Sequence, residues 1–251
     1  MQNLFRQTFK KPFLGIKSAL KSFSEKKVRK IDPFSGKSLT FPPPNPKRFL
    51  NKSAIITGGS QGVGKETSVL FAQSGIESLT IADVIEKKGK ELAEQINEEQ
   101  KRHVAKFVHT DVSKDKEDER LFIEHLQSFG KLNILFNNAG VMLEDDIGPT
   151  DTDLSAWHKT MEINVTSVFL CCKYGIPEML KSKGGSIINV SSIVALVGSA
   201  NPQLAYTASK AAVSGMTREL AAQYAQSGIR VNAVFCKTDL KYFTFSACRF
   251  Y

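Results

Sequence analysis

The chain has 251 residues, of which 41% are hydrophobic and 24% are charged, and its formal net charge is +9. This composition is typical of a globular protein with a sizeable core, and it excludes a disordered chain, which would be poorer in apolar residues. No apolar run approaches the roughly 18 residues that a membrane-spanning helix needs, so we expect no transmembrane segment.

The excess positive charge lies in the first part of the chain. Residues 1–52 hold 13 Lys or Arg and 2 Asp or Glu, a net of +11, and the remaining 21 basic and 23 acidic residues leave 53–251 at −2. A nucleic-acid-binding surface normally lies on the folded domain itself, so we expect no nucleic-acid partner. Residues 1–24 contain no acid and interleave apolar with basic residues, as an organellar presequence does. We therefore expect a mitochondrial or a cytoplasmic protein; contact with an anionic membrane and a plain solvated tail are the alternatives for this stretch.

Prolines separate this leader from the rest of the chain. Residues 41–46 (FPPPNP) must be extended, because proline fixes φ and keeps the preceding residue out of a helix. We divide the chain into a basic leader and Pro-rich linker (1–50), a globular domain (51–234) and an atypical C-terminal tail (235–251). The four cysteines form no C-x-x-C pair and the histidines are scattered, so we expect no metal site.

From residue 53 onward, short apolar segments alternate with longer amphipathic ones. The pattern predicts strands at 53–57, 78–83, 104–110, 132–136, 186–190 and 229–234. It predicts helices from the first glycine turn through 74 and at 85–99, 114–129, 154–181 and 203–227. Strands that alternate with helices indicate a parallel sheet covered on both faces, which is a doubly wound α/β (Rossmann) fold in a single domain.

A glycine-rich turn follows the first predicted strand and reads TGGSQGVG at 57–64. In such a turn Gly58 permits the tight bend, Gly62 lets a phosphate approach the backbone, and Gly64 lets the helix pack closely on the strand. The N–H groups at the start of the helix then face a pyrophosphate. The turn therefore predicts a dinucleotide-binding site.

Two acids narrow the choice of nucleotide. Residues 59–65 also fit a P-loop, but Glu66 stands where that motif needs a Ser or Thr for Mg²⁺, so we do not expect ATP or GTP. Asp83 ends the second predicted strand, 19 residues after Gly64, where an acid can accept hydrogen bonds from ribose hydroxyls and repels a 2′-phosphate. NAD is therefore favoured over NADP, and an acidic strand end that simply faces solvent is the alternative.

Tyr206 and Lys210 stand four residues apart in a helical stretch and so share one helix face. A free tyrosine ionises near pH ~10 and is a poor base at neutral pH. A nearby lysine ammonium, together with a nicotinamide cation, would favour the phenolate, so the pair could exchange a proton while hydride moves. Ser191 and Ser192 follow the fifth predicted strand at the ligand edge of the sheet, where a hydroxyl can hold an alcohol or polarise a carbonyl.

Two further polar sites accompany this pair. NNAG at 137–140 follows the fourth predicted strand at the same edge. Asn164 is a polar residue amid apolar ones in a long helix, where it could bind a water or a backbone carbonyl in a proton relay, or serve a structural role.

Taken in order, these motifs resemble the short-chain dehydrogenase/reductase family in its single-domain form. The resemblance covers about residues 51–234, the expected dinucleotide-binding catalytic domain. The residues that carry it are TGGSQGVG at 57–64, Asp83, Asp111-Val112, NNAG at 137–140, Asn164, Ser191-Ser192, YTASK at 206–210 and IRVNAV at 229–234.

The resemblance implies an NAD-linked oxidoreductase that interconverts a secondary alcohol and a ketone. Tyr206 would be the catalytic acid/base, and Ser192 would orient the substrate. Lys210 would adjust the pKa of Tyr206 and bind the ribose of the cofactor. Asn164 would belong to a proton relay. Ser192 lies 14 residues before Tyr206, one more than is common, so Ser191 stays an alternative.

The resemblance also implies a cofactor site and an assembly. The implied assembly is a homodimer formed through the two long helices at 154–181 and 203–227. The cofactor-binding residues would be Gly58, Ser60, Gln61, Gly62, Val63, Gly64, Asp83, Asp111, Val112, Asn138, Ala139, Gly140, Tyr206 and Lys210.

The resemblance ends after Val234. The family usually continues with a Pro-Gly turn, a substrate-covering loop, a helix and a seventh strand, whereas residues 235–251 match none of these. We therefore expect the last helix and strand to be lacking and the sixth strand to be an exposed edge. A truncated, weakly active or inactive NAD-binding protein is the alternative function.

Overall fold

The computed structural model describes residues 43–236 and 248–249, so residues 1–42 of the leader and linker (1–50) and most of the tail lie outside the described residues. One seven-stranded sheet has the order β3-β2-β1-β4-β5-β6-β7. Its strands are β1 (Ser53–Thr57), β2 (Ser78–Asp83), β3 (Ala105–His109), β4 (Ile134–Asn137), β5 (Gly185–Ser192), β6 (Ile229–Cys236) and β7 (Cys248–Arg249). The first six are parallel, which confirms the doubly wound α/β fold.

Helices connect the parallel strands and cover both faces of the sheet. They are α1 (Gly62–Gln73), α2 (Glu86–Gln100), α3 (Asp115–Phe129), α4 (Leu154–Met161), α5 (Ser167–Lys181) and α6 (Leu204–Tyr224). Side chains of β1 alternate between the faces: Ala54 and Ile56 pack with α1 and α2, and Ile55 packs with α3, α5 and α6. The apolar runs of the central strands follow from this burial on both faces.

Two differences from the predicted elements concern the ligand edge. The helix expected at 154–181 is divided, because a π-helical segment, Glu162–Thr166, joins α4 to α5. β5 continues two residues beyond the predicted end, to Ser192, and pairs with β6 along its whole length. Ser191 and Ser192 therefore lie in the strand itself, not in the loop after it.

The far edge of the sheet differs from expectation as well. β6 ends at Cys236, and its last two residues pair with β7 in the antiparallel sense, Phe235 with Arg249 and Cys236 with Cys248. β7 is an antiparallel pairing of only two residues, so it covers β6 at these two residues alone. Residues 229–234 have no partner strand on that side within the described part of the chain. No helix within that part is both long and apolar enough to cross a membrane.

Candidate active site

The glycine turn between β1 and α1 has the geometry that a dinucleotide needs. Gly58 has φ +60°, and a Cβ there would lie 2.9 Å from Ala139 Cα. A Cβ at Gly64 would collide with the Gly58 carbonyl oxygen, so neither position accepts a larger residue. Gly62 has φ +53° and no atom within 4 Å of its would-be Cβ, so the start of α1 is open to an approaching group. The turn fits a pyrophosphate at a helix N-terminus.

Asp83 holds this turn in place. Its Oδ2 accepts the Ser60 N–H at 3.0 Å and its Oδ1 accepts the Ile85 N–H at 3.0 Å. Asp83 is buried, so the carboxylate has a structural role in addition to the one expected from the sequence. The buried Ser60 hydroxyl has no hydrogen-bond partner within the described residues, which suits a polar ligand there. Gln61, at the N-cap of α1, accepts a hydrogen bond from Lys88 Nζ at 3.2 Å.

Thr57, at the end of β1, is a positioning residue that the sequence reasoning missed. Its hydroxyl oxygen accepts the N–H groups of Asn138 at 3.0 Å and Ala139 at 3.1 Å. Asn138 Nδ2 returns bonds of 3.0 Å to the carbonyls of Thr57 and Gly58. The NNAG segment is thereby fixed against the glycine turn. A hydroxyl at the last residue of a central strand, beside a neighbouring strand that ends in NNAG, is the signal that could have identified it.

Asp111 and Val112 follow β3 at the same edge. Asp111 Oδ1 accepts the N–H of Ser113 at 3.0 Å and its hydroxyl at 2.7 Å, which closes the turn into α3. Val112 is buried. The neighbouring Thr110 donates its N–H to the Asp83 carbonyl at 3.0 Å, so this turn is joined to the end of β2.

Asn164 lies at the centre of the π-helical segment and is fully buried. Its Oδ1 accepts the Val141 N–H at 2.7 Å, and its Nδ2 donates to the Val141 carbonyl at 2.8 Å and to Ser209 Oγ at 3.0 Å. A Cβ at Gly140 would lie 3.2 Å from this Oδ1 and 3.3 Å from Lys210 Nζ. Asn164 therefore binds a backbone carbonyl, one of the two partners expected, and it joins the loop after β4 to α6. π-helical turns inside α-helices are frequent at functional sites.

The two serines at the end of β5 point in different directions, as consecutive strand residues do. Ser191 Oγ donates to the Lys210 carbonyl at 3.0 Å and is 2.9 Å from Ser214 Oγ, so it ties the strand to the backbone of α6. The Ser192 hydroxyl instead donates to the Cys236 carbonyl at 3.3 Å, and it lies on the side of the Tyr206 phenol, whose pKa it lowers. Of the two candidates, Ser192 is therefore the one beside the tyrosine.

Tyr206 and Lys210 lie on one face of α6, with Lys210 Nζ 5.6 Å from the centre of the tyrosine ring. Lys210 is buried, and its Nζ donates to the Val190 carbonyl at 2.8 Å. Burial lowers the pKa of Lys210 to about 8. Burial also raises the pKa of Tyr206, while Ser192 acts in the opposite direction. Desolvation is the larger of these two effects on Tyr206, and the effect expected of Lys210 together with a nicotinamide cation stays a prediction.

The site residues thus gather at the carboxyl edge of the parallel strands. The glycine turn, Asp83 and the Asp111 turn form one part of this edge. Gly140, Asn164 and Lys210 meet in the other part, and Ser192 and Tyr206 lie beside them. This is where doubly wound sheets bind their ligands.

Curated proteins with similar sequences are oxidoreductases. An uncharacterized oxidoreductase of Thermotoga maritima is 41% identical over 186 residues, which is 74% of this chain and 71% of that protein. The trans-4-hydroxycyclohexanecarboxylate dehydrogenase of Sinomonas cyclohexanicum is 39% identical over 191 residues, which is 74% of this chain and 72% of that protein.

A solved structure and a family model agree with these similarities. The crystal structure of gox2181 superposes with a TM-score of 0.71 at 31% identity, covering 76% of this chain and 73% of that one. The sequence model of the family described as short chain dehydrogenase matches residues 52–241. The chain therefore belongs to the short-chain dehydrogenase/reductase family.

Proposed function

We propose that this chain is an NAD-dependent oxidoreductase that interconverts a secondary alcohol and a ketone, with Tyr206 as the acid/base. The observation that carries the proposal is the position of Tyr206 at the carboxyl edge of the sheet, with the buried Lys210 Nζ 5.6 Å from the centre of its ring and Ser192 at the end of β5. A tyrosine in a desolvated pocket with one hydroxyl partner and one nearby ammonium is suited to proton exchange with an alcohol. The catalytic domain in this proposal is 51–234.

Each polar group of this cluster has a distinct task. As the phenolate, Tyr206 takes the hydroxyl proton during oxidation, and as the phenol it returns that proton during reduction. The Ser192 hydroxyl holds the substrate oxygen beside that phenol. Lys210, fixed through Nζ to the Val190 carbonyl at 2.8 Å, keeps an ammonium beneath the ring and binds ribose hydroxyls. Asn164 belongs to the proton relay and fixes the loop after β4 through its hydrogen bonds to Val141. When bound, the nicotinamide dinucleotide supplies the acceptor or donor of the hydride.

The residues of the glycine turn would hold the cofactor. Asp83 would accept the adenosine ribose hydroxyls with the lone pairs that its two backbone bonds leave available. Its negative charge disfavours a 2′-phosphate, which supports NAD over NADP. The full set of proposed cofactor contacts is Gly58, Ser60, Gln61, Gly62, Val63, Gly64, Asp83, Asp111, Val112, Asn138, Ala139, Gly140, Tyr206 and Lys210.

The substrate is an apolar, alicyclic secondary alcohol in this proposal. The loops that leave the ligand edge after β4 and β5 expose large apolar side chains, namely Met142, Ile147, Ile193, Leu196 and Val197. Apolar side chains grouped beside a catalytic edge are typical of a pocket for an apolar ligand. The names of two relatives, a cyclohexanol dehydrogenase of Acinetobacter and a (+)-borneol dehydrogenase of Salvia officinalis, support the same class.

Turnover of cyclohexanol by the full chain tests this function. We expect NADH to form with NAD, and kcat/KM to be at least about 10-fold lower with NADP because Asp83 repels the phosphate. The primary alcohol n-hexanol, of equal carbon number, is the control and should be a poor substrate. Binding of NADH, seen by its fluorescence, without turnover of any secondary alcohol would favour the alternative of an inactive NAD-binding protein.

A further inference from the structure

The helix that carries Tyr206 and Lys210 begins without a capping side chain of its own. α6 starts at Leu204, and the preceding Gln203 makes no side-chain hydrogen bond to the first turn. The first N–H groups of a helix have no partner within it, and an N-cap side chain normally accepts from the second or third residue. The second and third residues of α6 are Ala205 and Tyr206.

Asp146, from the loop between β4 and α4, supplies the missing acceptor. One carboxylate oxygen accepts the Ala205 N–H at 2.8 Å, and the other accepts the Tyr206 N–H at 2.7 Å. Asp146 is only 3% exposed, and its own N–H donates to the Leu143 carbonyl at 3.3 Å. A carboxylate at this place also complements the positive end of the helix dipole.

The carbonyl of Tyr206 is held from the same loop by a second route. Ser209 Oγ donates to the Tyr206 carbonyl at 2.7 Å and accepts from Asn164 Nδ2 at 3.0 Å. Asn164 is bound in turn to both backbone groups of Val141, five residues before Asp146. Both backbone polar groups of the tyrosine are thus connected to the loop that follows β4.

We propose that Asp146 is a positioning residue for Tyr206: it fixes the first turn of α6 and thereby sets the phenol against Ser192 and Lys210. This inference rests on the proposed role of Tyr206 as acid/base. Loss of the carboxylate leaves two buried N–H groups without their acceptor, so the first turn shifts or frays. A displacement of about 1 Å at a reacting group costs about 100-fold in rate. The glycine turn makes no hydrogen bond to Asp146 and keeps its affinity for the cofactor.

The test compares Asp146→Ala and Asp146→Asn with Asp145→Ala in the full chain. Asp145 is the exposed neighbour and serves as the matched control. Binding sites are counted by NADH titration, kcat is expressed per NADH site, and hydrogen exchange is followed in the peptide that spans 203–207. We expect roughly 10-fold to 100-fold lower kcat per site in Asp146→Ala, with KM for NAD within about twofold of wild type. Exchange at Ala205 and Tyr206 should be faster, and Asp145→Ala should match wild type.

Asp146→Asn keeps one acceptor oxygen, so its kcat per site should lie between those of wild type and Asp146→Ala. A general loss of folded protein would not change kcat per site, because unfolded chains bind no NADH and are not counted. If Asp146→Ala does not fold, Asp146→Asn decides alone. An unchanged kcat per site in the variant that folds overturns the inference, even if exchange is faster. A wild-type chain that binds NADH but turns over no secondary alcohol contradicts the proposed function instead, so the two failures are distinguishable.

Discussion

Lys210 is buried and Tyr206 is half-buried, and burial shifts the pKa values of the two groups in opposite directions. The pKa of Lys210 falls to about 8, so at pH 7 the side chain still carries most of its charge and loses it as pH rises above 8. The pKa of Tyr206 rises, and Ser192 counteracts this rise. Ser192 therefore has two tasks in the proposed site, to hold the substrate oxygen and to stabilise the phenolate.

Asp118 is a second buried ionisable residue, and it lies outside the active site. It belongs to α3 and contacts Cys171 of α5, whose Sγ is 3.7 Å from Asp118 Oδ1. Asp118 Oδ2 is buried and has no hydrogen-bond partner in the described residues. Burial raises the pKa of this carboxyl group from 3.8 to about 8, and the nearby acids Asp115, Asp111 and Glu117 act in the same direction.

Asp118→Asn should therefore stabilise the protein in a pH-dependent way. The folded state favours the neutral Asp118 carboxyl group. The contribution of this group to the free energy of unfolding is therefore fully present below pH 3.8 and is lost as pH rises from 3.8 towards 8. We expect the variant to have a higher free energy of unfolding by about 3 kcal/mol at pH 8, with a smaller gain at pH 5. Urea unfolding at the two pH values measures this. Glu119→Gln, on the same helix but exposed, is the control, and a gain that does not vary with pH would contradict the argument.

At the scale of elements, the central strands were the easiest part to predict. β1 and β2 have their predicted bounds, because each is an apolar run buried on both faces and ended by a turn residue. The predicted end of β5 is two residues too early, since its last residues are polar. Their strand conformation depends on pairing with Phe235 and Cys236 of β6, more than 40 residues later, which a local pattern cannot show.

The long helix at 154–181 illustrates the same limit on local patterns. Its apolar periodicity predicts one continuous helix, but the turn around Asn164 widens to a π-helix. The side-chain bonds that accompany this widening go to Val141, 23 residues earlier, and to Ser209, 45 residues later. Asn164 could be identified from the sequence because it is a polar residue among apolar ones. The π-helical backbone around it could not be predicted.

Among the residues of the candidate site, too, some could be predicted from a local pattern and others could not. The glycine turn could be predicted because only glycine tolerates its positive φ angles and close contacts. Thr57 and Asp146 were missed, since each binds backbone N–H groups that are distant in the sequence, 81 residues away for Asn138 and 59 for Ala205. A backbone partner leaves no mark of its own in the sequence, so Asp146 needed the fold to be identified, whereas the strand-end position of Thr57 beside NNAG was the one available signal.

For the whole molecule, the surface formed by α5 and α6 supports the expected homodimer as a proposal. A groove of about 560 Å³ runs between these helices and is lined mainly by apolar side chains, among them Phe169, Leu180, Met216 and Leu220. Phe169 is 57% exposed, although it lies on a helix whose other side chains build the core. Apolar residues left exposed in this way are typical of an interface.

We expect light scattering after gel filtration to give twice the chain mass of 27.7 kDa. Phe169→Asp should shift the protein to the monomer, because a carboxylate cannot be buried in an apolar contact without a partner. Leu70→Asp, at an exposed apolar residue of α1 on the other side of the sheet, should leave the dimer intact. A wild-type protein that elutes only as monomer would refute the proposal.

The proposed reaction depends on Tyr206 to accept and return the hydroxyl proton of the substrate. The most direct test is kcat of Tyr206→Phe for cyclohexanol oxidation, measured beside its affinity for NADH and beside Tyr174→Phe, a tyrosine of α5 outside the site. We predict that kcat falls at least about 1,000-fold, within the range expected for a lost acid/base, while NADH binds as in wild type. Tyr174→Phe should keep wild-type kcat. A Tyr206→Phe protein that retains kcat within about threefold of wild type, with the cofactor bound, would contradict the account.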